Sequence, residues 1–186
     1  MAGKVRDKMV EGAMALLARR GLQATSFSEV LAATGAPRGS LYHHFPGGKD
    51  QLVAAALEQA QAVLLGALDS VAGQPAEAVT ERFLAIWRAV LTRSQCEAGC
   101  AVLAVTVAAD SEDLMSRARA VLRNWQDRLA ELLQQGGMAP GPARAFAIVL
   151  IASAEGAVAL ARAERSMAPF ETVAEQLLEQ VRFKVA

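Results

Sequence analysis

With 186 residues and 53% hydrophobic side chains, the chain can bury a substantial core, and the 5% aromatic share makes that core one of Ala, Leu and Val. Ala and Leu favour helix, so the composition predicts an all-α protein, a small domain followed by a larger one. Formal net charge is zero, which excludes a uniformly basic polyanion binder, yet residues 1–50 hold seven Lys/Arg against four Asp/Glu and the remainder is acidic by the same margin. A basic end on an acidic body is the footprint of a local phosphate-binding site.

The opening helix is predicted over residues 4–20, where Met9, Ala13, Leu16 and Leu17 form one apolar stripe and Gly21 ends it. Lys4, Arg6 and Lys8 near its start are within reach of backbone phosphates, although such a cluster is also an ordinary solvated face. A short helix follows, with Phe27, Val30, Leu31 and Thr34 on one side. Ser26 precedes it, and its hydroxyl can accept from a free N–H of the first turn. Gly35 stops this helix, since glycine takes the left-handed conformation at low steric cost. A second short helix starts near Pro37, which suits a first turn because its missing N–H is no loss. It ends at Phe45-Pro46-Gly47-Gly48, the proline biasing the residue before it away from helix. With Leu41 turned inward and Phe45 closing the end, Arg38, Ser40, Tyr42 and His43 or His44 are left on a donor-rich face without an acid, and Gly39 and both histidines count among the candidate DNA-binding residues of this helix. Two helices across a tight glycine turn, the second presenting donors, form a helix-turn-helix whose second helix lies in the DNA major groove.

The run Gly35-Ala36-Pro37-x-Gly39-Ser40-Leu41-Tyr42-x-His44-Phe45, followed by Lys49-Asp50-x-Leu52, resembles the DNA-binding signature of TetR-type transcriptional regulators. The wording HHFPGGK is similar to the LmrA/YxaF-like branch. The chain departs from the commoner pattern at Leu31 and at Ala36-Pro37. The resemblance implies an N-terminal three-helix helix-turn-helix domain, placed at 1–47, and a larger helical ligand-binding and dimerisation domain at 48–186. Phosphate contacts are expected from Tyr42, His43 and Lys49, with Thr25, Ser26 and Ser28 nearby, one of which helix capping alone explains. Arg38 and Ser40 are the candidates for base edges, because Arg pairs bidentately with guanine and Ser contacts several bases.

A long helix is predicted over 48–71, with Leu52, Ala56, Ala60, Val63, Leu64, Ala67 and Val71 near helical period. It belongs to both domains and is the candidate coupling element. Lys49 lies in its first turn, beside N–H groups suited to a phosphate. Gly73-Gln74-Pro75 breaks the chain. Helices follow at 76–93, at 98–108 and, capped by Asp110-Ser111, over about six turns to Gly136-Gly137. Pro140-Gly141-Pro142 is read as a link, and helices at 143–164 and 169–183 complete the chain. The helix at 143–164 is apolar nearly all round and rich in Ala, Ser and Gly, so it needs cover on two sides, one of them a second copy of the chain. The resemblance implies the same homodimer, built on the last two helices.

Phe83, Trp87, Met115 and Trp125 read as core or as walls of a pocket for a small apolar effector, and Glu155, costly to bury unpaired, as a seam or ligand contact with Arg144 or Arg162 as partner. Cys96 and Cys100, at a spacing that suits one helical face, read as small buried residues, with oxidation switching as the alternative. They lack companions at zinc-ligand spacing, so neither metal nor cofactor is expected. No 18 apolar residues run uninterrupted and the N-terminus does not resemble a signal peptide, so a cytoplasmic location without a membrane is expected. Both histidines lie in the DNA-reading segment, which leaves no convergent base for an enzyme. The expected function is a DNA-binding, ligand-releasable repressor on a double-stranded operator. A dimeric regulator without an effector is the alternative.

Overall fold

In the computed structural model, which describes residues 2–185, the described residues form nine α-helices and no strand. Helix α1 (Ala2–Arg20) buries the stripe of Met9, Ala13, Leu16 and Leu17, and Gly21 ends it at a φ of +80°. Helix α2 (Phe27–Thr34) starts where the Ser26 hydroxyl accepts from the Glu29 N–H at 3.2 Å. It stops where Gly35, at a φ of 65°, donates its own N–H to the Leu31 carbonyl. Helix α3 (Arg38–His44) follows, with Pro37 at its N-cap and not inside its first turn.

Helix α4 (Lys49–Asp69) buries Leu52 to Leu57, Leu64 and Leu68, whereas Val63, expected on the inner stripe, is exposed. Helix α5 (Ala76–Ser94) is close to its predicted span. Helix α6 (Ala101–Thr106) is shorter than the predicted 98–108, because Gln95 and Cys96 turn left-handed at φ 53° and 61° and the chain re-enters helix only at a cap on Cys100. Cys96 and Cys100 therefore share no helical face, contrary to the expectation from their spacing. Helix α7 (Glu112–Gln135) begins with the Ser111 hydroxyl accepting from the Leu114 N–H. Pro140-Gly141-Pro142, expected as a link, is instead the first turn of α8 (Pro140–Glu164), where prolines lose no hydrogen bond and their fixed φ suits the helix. Helix α9 (Ala168–Val185) closes the chain.

The chain divides into two compact units. The first is the chain up to Ala62 with Cys100–Leu122, and the second is Val63–Gly99 with the chain from Arg123 onward. In the first, α1 packs against α2, α3 and α6. That packing groups residues 100–122 with the N-terminal segment, so the boundaries between the compact units fall within α4 and α7. In the second, α8 packs on α9, and α5 on both. Arg88 of α5 donates to both carboxylate oxygens of Glu171 on α9 at 2.8 and 2.9 Å, and these bonds, first among the causes, push its pKa further above the usual arginine range.

Helices α4 and α8 have the length and mean hydropathy, 1.3 and 1.7, of a membrane span. Yet 44% and 50% of those windows is buried within the protein, as in core helices.

Candidate nucleic-acid interface

The head is organised by what α2 and α3 bury. Val30, Thr34, Leu41 and Phe45 are withdrawn from solvent, and Phe27 meets the Tyr42 ring edge-on at 5.7 Å between centroids. Because Leu41 and Phe45 are one turn apart on the inner side, the pairs Arg38/Tyr42 and Gly39/His43, also one turn apart, stand on the outer side. Arg38, Gly39, Tyr42 and His43 are exposed, while Ser40 and His44 are half-buried. Tyr42 is 65% exposed, with its ring steadied by Phe27.

The electrostatics suit an anion. Helix α3 has no acidic residue, and Glu29, the one acid of α2, is paired with Arg20 at 2.7 Å. A surface pair of this kind adds little stability. Its consequence is that neither α2 nor α3 presents a bare carboxylate.

Two of the expected contacts carry structural bonds. Thr25 is only 1% exposed and its hydroxyl donates to the Gly21 carbonyl at 2.8 Å, so its side chain is turned away from any ligand surface. Lys49 is half-buried, and its ammonium donates to the Leu22 carbonyl at 2.7 Å, tying the turn after α1 to the start of α4. An ammonium has three donors, so this bond leaves two for an anion. Ser26 and Ser28 share a hydrogen bond of 2.8 Å at the head of α2, with Ser28 exposed. Arg6, read from the sequence only as a phosphate candidate, also has its guanidinium 5.6 Å from the centre of the Phe45 ring, bracing α1 against the end of α3, a contact that sequence reasoning missed.

The expected effector residues are less gathered. Phe83 and Trp87 touch edge-on at 6.5 Å, and Phe83, Trp87, Trp125 and Glu155 are all buried in the second unit. Met115 is half-buried and belongs to the first. Arg144, considered as a partner for Glu155, bonds Asp127 at 2.9 Å. Cys96 is buried with its sulfur 3.8 Å from that of Met167, and the buried Cys100 sulfur accepts from the Leu103 N–H. Among the described residues, no three His, Cys, Asp or Glu side chains converge as metal ligands.

Comparison with known proteins agrees with this geometry. Residues 9–56 match the family model of bacterial regulatory proteins of the tetR family, and residues 75–176 match that of the LmrA/YxaF-like transcriptional regulator C-terminal domain. The chain is 35% identical to the uncharacterized HTH-type transcriptional regulator Rv0196 of Mycobacterium tuberculosis, over 92% of this chain and 91% of that one. It is 26% identical to the HTH-type transcriptional regulator LmrA of Bacillus subtilis, over 90% and 91%. Among solved structures, the regulatory protein TetR from Rhodobacter sphaeroides superposes with a TM-score of 0.83 at 22% identity, covering 93% of this chain and 96% of that one. A TetR-family regulator from Agrobacterium tumefaciens gives 0.84 at 22%, covering 97% and 98%. With the helix-turn-helix legible in its geometry and both halves matched, the chain belongs to the tetR family of bacterial regulatory proteins, as a DNA-binding transcriptional regulator with an LmrA/YxaF-like C-terminal domain.

Proposed function

We propose that this regulator acts in the cytoplasm as a homodimeric repressor, its two heads docking in successive major grooves of a near-palindromic operator, about 34–36 Å apart. The observation that carries this reading is the outward, acid-free donor face of α3. Tyr42, His43 and Lys49 hold phosphates, with Ser26, Ser28 and His44 beside them. Arg38 and Ser40 read base edges, and Gly39, with no side chain, lets the helix approach closely. Thr25 supports the turn from within.

Tyr42→Phe keeps the ring on Phe27 and deletes only the hydroxyl, so thermal stability should not move. Affinity for operator and random DNA should fall alike by about 1 kcal/mol, and the salt slope by about one unit for the lost phosphate contact. An unchanged slope rejects the phosphate role. Arg38→Ala, in contrast, should relax preference at one base pair, read by in vitro site selection; the same consensus would reject base reading.

The seam between copies is proposed on α8 and α9. On α8, Ala145, Val149, Ala152, Gly156 and Leu160 form an exposed apolar row. A Cβ on Gly156 would meet nothing within 4 Å, so packing inside the chain gives no reason for a glycine there. A second helix passing close by would. Gly156→Arg should therefore keep the subunit folded, gaining up to about 1 kcal/mol of helix propensity. It should sediment as a monomer and lose operator binding. A dimeric variant would place the seam elsewhere.

A small, mostly apolar effector in the second unit, among Phe83, Trp87, Trp125 and Glu155, is proposed to release the operator. Helix α4 runs unbroken from Lys49 to Asp69, from the head into the second unit, which makes it the coupling element. Release needs only that the effector favour the non-binding arrangement, and its differential affinity sets the shift.

A further inference from the structure

The two tryptophans of the chain both lie in the second unit, Trp87 on α5 at 5% exposure and Trp125 on α7 at 2%. The Nε1 of each is buried and has no hydrogen-bond partner in the protein. An indole N–H is a donor only, and a buried donor left unpaired forfeits the hydrogen bond that water would supply. Where this unit needs aromatic bulk alone it uses phenylalanine, and Phe83, Phe146 and Phe170 are fully buried there. Tryptophan in place of phenylalanine adds a donor that the packing does not use, and it does so twice.

The surrounding charge narrows what those donors face. Among the described residues no Lys or Arg is buried, and the one buried charged residue is Glu155, in this same unit. A carboxylate or phosphate ligand would thus be desolvated without a buried cation to receive it. A neutral oxygen asks for no counter-ion.

Resting on the effector reading above, we infer that the ligand is a neutral, largely apolar molecule whose carbonyl- or ether-type oxygens accept from the indole N–H groups of Trp87 and Trp125. Such a pocket discriminates strongly, because a hydrocarbon of the same shape fills the space and leaves both donors unpaired.

The test uses matched probes on the full-length protein: acetophenone against ethylbenzene, and benzophenone against diphenylmethane. With two tryptophans in the chain, a nitrogen-15 spectrum carries two indole N–H signals. Each ketone should bind about tenfold more tightly than its hydrocarbon partner, in keeping with one good hydrogen bond, and should move the indole N–H proton signals downfield. In Trp87→Phe combined with Trp125→Phe, which keeps rings and deletes donors, the affinities of the pair should converge. The wild-type signals decide the matter even if that variant is too unstable to titrate. Equal binding of ketone and hydrocarbon with no downfield movement overturns the donor role and leaves the apolar pocket standing. If no member of either pair binds, the effector reading itself falls and takes this inference with it.

Discussion

Gly12→Ala is expected to destabilise the head by about 2 kcal/mol net and to lower operator affinity accordingly, although alanine is the better helix former. A Cβ at position 12 of α1 would run into Thr34 Cγ2 of α2, with Val30 Cγ1 at 4.0 Å behind it. Thr34 is poorly placed to give way, because its hydroxyl donates to the Val30 carbonyl at 2.7 Å and accepts from the Ala36 N–H at 3.4 Å. Overpacking of this severity costs about 3 kcal/mol, against about 1 kcal/mol gained in helix propensity. The helix that yields is α2, on whose far end the turn into α3 is built, so the cost appears in DNA binding as well as in melting. Thr34→Ser supplies the control: it keeps the hydroxyl and removes the methyl. Combined with Gly12→Ala it should restore stability to wild type or slightly above, a coupling that a double-mutant cycle in denaturant unfolding reads directly. A Gly12→Ala protein that unfolds at the wild-type midpoint would show that α1 and α2 do not approach this closely.

The same contact shows where legibility in the sequence stops. Ser26, Gly35 and the Phe45-Pro46 stop delimit α2 and α3 as expected, because caps and breakers act over three or four residues and the signal lies beside its effect. The outward face of α3 follows from the same local periodicity. Gly12 against Thr34 and Lys49 against the Leu22 carbonyl span 22 and 27 residues, and nothing near either partner announces the other. Lys49 and Thr25 were legible as polar groups in the right segment. Only the packing shows that both are bonded to the turn after α1. At 140–142 the prolines signalled a break, but position within a helix decides what proline does, and at the first turn it is compatible. Scarcity of aromatics pointed to Phe83, Trp87 and Trp125 without saying which way the indoles face. Their unpaired N–H groups are a property of the assembled core.

Gly136→Ala should be the most damaging single methyl in the second unit, at about 3 kcal/mol or more, for a reason that sets it apart from position 12. Gly136 follows the last turn of α7, and its carbonyl accepts from the Ala76 N–H at 3.1 Å, joining the end of α7 to the start of α5. A Cβ there would press on the Ala76 amide nitrogen and lie 2.8 Å from both the Gln74 oxygen and the Pro75 carbonyl carbon. All three are main-chain atoms, so no substitution of a neighbouring side chain can make room, and relief requires moving a backbone that also starts α5. No counterpart of Thr34→Ser exists: variants at Gln74 or Pro75 should leave the defect in place, while those at Thr34 erase the one at Gly12. The functional consequences should differ too. The Gly136→Ala head is untouched, so whatever folded protein remains should keep the salt dependence of its DNA binding, while the proposed seam on α8 and α9 is lost with the second unit. Wild-type melting of Gly136→Ala, or its rescue by a side-chain change at 74 or 75, would refute the backbone contact between α7 and α5.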